Sequence, residues 1–438
     1  MAIVNETERK SVFLGGSFTT INSNGMPYNA KVALGGSATL DGGWNAVGAG
    51  GPVNTLTVMD TTVYAGGEFI TMGVEYRNRA AALDYSYGTV LDWNPGAENI
   101  VNVIAAYNGS VYMGGLFTNC CQRDRNRIAS VDLTTGVLAD WNPDADDTVR
   151  ALAAYGDTIY AGGDFANIGS QPRDYLAALD DVTGQASDWN PDPNDPVYCL
   201  AASRGLVYAG GDFTFVGADA RNYIAAIDAD PRSASYGTAT AWDPDADGQV
   251  VSIALSPDTV YAGGAFATIG GESRSNIAAL DPSTGDALAG WDPAPNDVVQ
   301  TIALSGDWVY AGGAFTSIGG ESLNRLAALD VVSGNADPAW NPSPNGQPRA
   351  VWPLKSVIYV GGDFTTIGTK ARNRIAALDP ATGAATGWDP DVESIVRTLS
   401  VSRDTIIAGG DFGYLNEGVY ITTFLAGINS ETGVLYGF

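Results

Sequence analysis

Oxygen donors recur along this chain at spacings that suit a hard cation. Asp243, Asp245, Asp247 and Gly248 repeat the opening of a calcium loop, in which oxygen ligands at alternating positions precede a glycine. Related runs are Asn142, Asp144, Asp146 and Asp147, then Asn190, Asp192, Asn194 and Asp195, then Asp292, Asn296 and Asp297. Calcium is the ion they would hold, with Asp243, Asp245, Asp247, Asp144, Asp146, Asp192 and Asn194 as its ligands. The closing glutamate is absent, however, because the twelfth position counted from Asp243 is Ala254. Asn-Pro and Asp-Pro pairs after a strand are also ordinary turn formers, so the same residues have a purely architectural reading.

Arginines form a second recurring group, at Arg77, Arg79, Arg123, Arg125, Arg127, Arg221, Arg274, Arg325, Arg372 and Arg374. Asp164, Asp212, Asp363, Asp281 and Asp379 end neighbouring apolar runs, so guanidinium–carboxylate pairs within or between repeats are expected. Any guanidinium left over would suit an acidic sugar or peptide. The chain has no histidine, which removes Ser-His-Asp and Cys-His nucleophiles, histidine bases and histidine metal ligands. A glycosidase-like carboxylate pair survives on composition, but the acids recur in every unit instead of standing out in one or two. No catalytic residue is predicted.

The elements that carry these groups are repeats. VFLGGSF from Val12 returns as VYAGGEF from Val63, VYMGGLF from Val111, IYAGGDF from Ile159 and VYAGGDF from Val207. Further copies begin at Val260, Val309, Ile358 and Ile406, so nine copies follow one another at 48 to 53 residues. No linker separates them, and the whole chain, 1–438, reads as one domain.

Each period breaks into four apolar runs, A to D, clearest from Val250 to Trp291: VVSIALS, VYAGG, NIAALD and a last run ending at Trp291. All are bounded by Gly, Pro, Asp or Asn and are too short for globular helices, so they read as strands. Runs B and C are almost continuously apolar, as in a sheet covered on both faces. The paired glycines, such as Gly263 and Gly264, point to a bulge or a tight contact with the next unit. Trp44, Trp93, Trp141, Trp189, Trp242, Trp291, Trp340 and Trp388, with Phe438 last, are packing residues between units. The expectation is an all-β protein, a single β-propeller of nine four-stranded blades. Because the first run A would fall in the polar residues Ala2 to Glu8, the alternative is eight blades plus an irregular N-terminal element. Strand alternation puts the B to C loops, such as Thr268 to Ser275, and the D to A loops, such as Asp243 to Gly248, on one face, the candidate binding surface.

Runs C and D, as in IAALDPSTGDALAGW and IAALDPATGAATGW, resemble the tryptophan-docking repeat of quinoprotein-type propellers. The full unit, with VYAGGDF and RNRIAALD, resembles the delta-60 type propeller repeats of large surface proteins. The resemblance implies the fold strongly and function weakly, since such repeats serve enzymes, assembly factors and adhesins. It also lends meaning to the adjacent Cys120 and Cys121, because vicinal disulfides occur beside the cofactor of some quinoprotein dehydrogenases. A loop clamp or two reduced thiols are the other readings, and Cys199, in an apolar strand, reads as a small hydrophobe.

The net charge of -27, with only four lysines, repels phosphate backbones and anionic lipid, so nucleic acid is excluded as a partner. It suits a salty or calcium-containing medium. No apolar run is long enough for membrane insertion, and the polar Met1 to Lys10 carry no secretory signal. The functional expectation is a non-catalytic structural or recognition and adhesion module of an extracellular assembly: a cell surface, a filament or a virion fibre. Its partner would be a protein or a glycan, or copies of itself within a larger surface or virion complex. The alternative is a quinoprotein-like or carboxylate-dependent enzyme with its site on the long-loop face.

Overall fold

A computed structural model describes residues 49–389 apart from 60, 73–74, 85–88, 121–122, 133–136 and 355–356, and, outside that span, strand 15–17 and parts of 395–429. All the regular structure among these residues is strand. Seven repeats each give a three-stranded antiparallel sheet in the order inner, middle, outer, corresponding to runs A, B and C. In the third blade these are Val149–Tyr155, Thr158–Gly163 and Leu176–Asp180. Middle and outer strands are buried along nearly their whole length, as their unbroken apolar sequence requires. Inner strands stay partly exposed along theirs, as strands lining a central channel do.

The inner strands neighbour one another in chain order from Val53–Met59 round to Val396–Ser402, and the last lies against the first, closing a ring. The fold is an all-β propeller. Among the described residues the circuit has eight members, the eight-blade alternative rather than nine. The copy beginning at Val12 contributes Gly15–Ser17 as a fourth strand on Thr423–Asn429 of the eighth blade, so two ends of the chain share one sheet. Trp44, Phe438 and the region of the first run A lie outside the described residues.

The glycine pair has two separate causes. Each inner strand carries one bulged residue opposite the pair; in the third blade it is Arg150, where the register steps from Val149 to Ala151. The bulge brings a carbonyl so close that a Cβ on the second glycine would lie 2.0 Å from Thr148 O at Gly163 and 1.9 Å from Gln249 O at Gly264. A Cβ on the first glycine would instead meet the next blade, 2.7 Å from a Val197 methyl at Gly162. Bulge and tight contact are both present, one per glycine.

The tryptophans seal the joints between blades. Trp93, Trp141, Trp189, Trp242, Trp291, Trp340 and Trp388 are at most 2 % exposed. Each meets a middle-strand tyrosine edge-on at 5.1 to 5.4 Å, as Trp189 meets Tyr160, an arrangement worth about 0.5–1.5 kcal/mol beyond the area it buries. The indole Nε1 of Trp189 then donates to Asp228 O of the following blade at 2.6 Å, and Trp93, Trp141, Trp242, Trp291 and Trp340 repeat the tie. Run D differs from the expected fourth strand. It touches the outer strand through a single bridge per blade, such as Leu179 with Ala186, because its few residues must turn at once to deliver the tryptophan into the joint.

Candidate functional site at the channel mouth

The structure gives the predicted oxygen ligands mostly to protein groups of the neighbouring B to C loops. Asp146 Oδ1 accepts the amides of Ala166 and Asn167 at 2.8 and 3.0 Å, pinning the D to A loop to the B to C hairpin of the same blade. Asp247 does the same for Ala267 and Thr268, and Asn194 for Thr214 and Phe215. These bonds also confirm that the two long loops share one face. Burial raises the Asp146 and Asp247 carboxyls, but the donated amides outweigh it and hold both below the ordinary aspartate value. Asp144 and Asp245 accept from Asn126 and Asn222, and Asp192 uses its backbone carbonyl on Gly217. Asp243 takes Arg221 at 3.2 Å, while burial and nearby Asp245 push its carboxyl up. Among the described residues no three carboxylate or thiol groups converge as metal ligands would.

The arginines also find partners other than those expected. Arg173 gives one nitrogen to Pro172 O and another to Ser187 O, and Arg125, Arg221, Arg274 and Arg372 repeat the pattern, stitching the B to C hairpin to the carbonyls of run D. Arg221, Arg274 and Arg372 also contact the loop aspartate after the tryptophan, as in Arg372 with Asp389 at 2.7 Å. Asp281 and Asp379, expected as arginine partners, instead cap their own C to D turns by accepting two amides each. Cys120 is buried, its thiol 3.1 Å from Pro95 O; Cys121 lies outside the described residues. Burial pushes the Cys199 thiol up to about 12.

What breaks the repeat is the bulged residue itself. In successive blades it is Asn54, Asn102, Arg150, Tyr198, Val251, Gln300, Arg349 and Arg397. All lie at the start of the inner strands, where the channel opens on the long-loop face. In blades three and four two of them, together with Gln249 of the fifth blade, join into one arc. Arg150 grips Asp164 through Nε and Nη2 at 2.8 and 2.6 Å, and its guanidinium lies 5.5 Å from the centre of the Tyr198 ring in the next blade. The Tyr198 hydroxyl donates to Asp212 Oδ2 at 2.6 Å, and Gln249 of the fifth blade donates to Asp212 Oδ1 at 2.8 Å. The hydrogen bond to Asp212 pushes the Tyr198 phenol up to about 12, and Asp164 holds the Arg150 guanidinium above its ordinary value. Blade seven carries a separate pair, Arg349 on Asp363 at 2.8 Å. Sequence reading placed Asp164, Asp212 and Asp363 correctly at the ends of run B but missed Arg150, Tyr198, Gln249 and Arg349. For Arg150, Tyr198 and Arg349 the signal lay in the second position of run A, which reads Asn, Asn, Arg, Tyr, Val, Gln, Arg and Arg in successive copies; Gln249 precedes its run.

Comparison with solved structures agrees with the fold. The computationally designed Ika8 protein superposes with a TM-score of 0.57 at 15% identity, covering 82% of this chain and 93% of that one. BamB from Moraxella catarrhalis gives a TM-score of 0.48 at 14% identity, over 81% of this chain and 90% of its own. The WD40 β-propeller domain of Doa1 gives 0.44 at 12% identity, over 85% and 92%. No protein-family model matches the chain, and no curated protein matches its sequence. The protein is a β-propeller built of tryptophan-sealed repeats.

Proposed function

We propose that this propeller is a non-catalytic recognition or structural module of an extracellular assembly, a cell surface, filament or virion fibre, holding a protein or glycan partner on its long-loop face. The observation that carries the reading is the arc Arg150, Asp164, Tyr198, Asp212 and Gln249, half-exposed polar groups held in fixed orientation by one another. Planar groups fixed in this way lose little freedom when a partner binds, which favours recognition. The acidic surface and the likeness of VYAGGDF and RNRIAALD to delta-60 type repeats of surface proteins support an extracellular setting. Solution mass by light scattering, with a screen of immobilised glycans and cell surfaces, tests the reading. Binding in the screen, or a defined oligomer, is expected. A monomer silent across the whole screen would overturn it.

A further inference from the structure

Blades three and four depart from the repeat at a second position, next to the first departure. The residue before the outer strand has a left-handed backbone in every described blade: Arg79, Arg127, Arg325 and Arg374 in four of them and Asn276 in a fifth, but Tyr175 and Tyr223 in blades three and four. The arginines spend their side chains on backbone carbonyls; Arg79, for instance, donates to Glu68 O. The tyrosines keep the backbone role and change the surface. Tyr175 N donates to Phe165 O and Tyr175 O accepts from Gly163 N, which brackets Asp164; Tyr223 brackets Asp212 in the same way, through Phe213 and Gly211. Both rings are partly exposed. Two aromatic substitutions therefore sit, by their backbone bonds, beside the two aspartates of the mouth arc, each side chain packed in part against the joint with the next blade.

We infer that the channel mouth over blades three to five binds a neutral saccharide, with Tyr175, Tyr198 and Tyr223 as the aromatic surface and Asp164, Asp212, Arg150 and Gln249 as the hydroxyl-binding groups. This rests on the recognition reading above and names its ligand. The argument is electrostatic. Arg150 and Asp164 already neutralise each other, so an anion would have to displace Asp164 from the guanidinium while approaching a chain of net charge -27. A cationic segment would have to displace Arg150 at Asp164, and at Asp212 it would meet Tyr198 and Gln249, which already donate to both oxygens. Neutral hydroxyls break neither pair: they donate to lone pairs the carboxylates still hold and accept from Arg150 Nη1, while the apolar face of a sugar ring lies on a tyrosine. Aromatic rings beside planar fork-shaped donors and acceptors match the two faces of a pyranose.

The test immobilises neutral oligosaccharides of glucose, galactose, mannose and N-acetylglucosamine and measures binding of the full chain, followed by calorimetry on any hit. Binding to at least one of them is expected, little changed between low and high salt. Tyr223→Ala and Asp212→Asn should each weaken it at least tenfold, whereas Arg349→Gln, across the mouth on blade seven, should leave it within twofold; unchanged melting curves exclude unfolding. Neutral-sugar binding that survives Tyr223→Ala and Asp212→Asn overturns this site. So does binding confined to cationic peptides and abolished by salt, or to cells and proteins with no neutral sugar bound, though in those cases the recognition reading stands. Silence toward all probes from a monomer would remove both.

Discussion

At the scale of single residues, loop carboxylates that spell out a calcium motif act as clamps between two loops. Asp247→Ala should cost about 1 kcal/mol in urea unfolding, because two backbone amides lose an exposed, charged acceptor. If amides are its main partners, dialysis against a chelator should leave the melting temperature of the unaltered chain where it was; a fall would return these groups to calcium. The sequence shows oxygen donors at alternating positions, and this is as far as spacing reaches, since an amide twenty residues away competes for the same lone pairs and leaves no mark in the motif. The tryptophans were legible for the opposite reason. A large ring at one place in every unit has little use except to fill the same joint, and the edge-on tyrosines and the bonds to the next blade bear this out. The bulged residue was hidden because its variability resembles the indifference of a surface position, when it marks where one blade may differ from the next at the channel mouth.

At the scale of the strand, the Gly-Gly pair is an agreement between two contacts, and the second glycine is the stricter. Gly264→Ala places a methyl group against Gln249 O at a distance no carbon tolerates, so the bulge must flatten or the strands separate. A loss of about 2–4 kcal/mol is expected, read as a lower urea midpoint with unchanged slope. Retained stability would mean that the bulge is not fixed by the glycine. Strands A, B and C could be read from their boundaries and apolar content. Run D could not, because alternation and turn residues look the same whether a segment pairs along its length or touches through a single bridge such as Leu280 with Ala287. The small hairpins within the B to C loops, such as Thr268–Ile269 with Glu272–Ser273, were likewise read only as polar loop.

At the scale of the whole molecule, charge sets the response to solvent. Raising sodium chloride from about 10 mM to about 1 M shortens the screening length from ~30 Å to ~3 Å, and with a net charge of -27 the melting temperature should rise by several degrees. Acid acts in two opposed ways. Burial first, then neighbouring carboxylates, raises Asp174 and Asp243, so their protonation on moderate acidification relieves strain and stabilises the fold. Asp146, Asp180, Asp247 and Asp330 have folded values below the ordinary one; their contribution is complete above that value and is lost as pH falls through the folded values, below about pH 4. Melting temperature against pH should therefore peak on the mildly acidic side and drop beneath it; a steady rise down to pH 2 would show that the clamps contribute nothing. The count of blades was the least legible feature of all, since a copy of the repeat that lends one strand to another blade reads in sequence like a blade of its own. That borrowed strand has a mechanical consequence. Gly15 lies beside Ala426 and Ser17 beside Thr423, so the chain before residue 15 and the chain after residue 429 leave the pairing at the same end. Tension between them loads the hydrogen bonds one at a time, like a zip and unlike a lap joint, and under load this strand would peel from the eighth blade while the tryptophan-sealed joints still held.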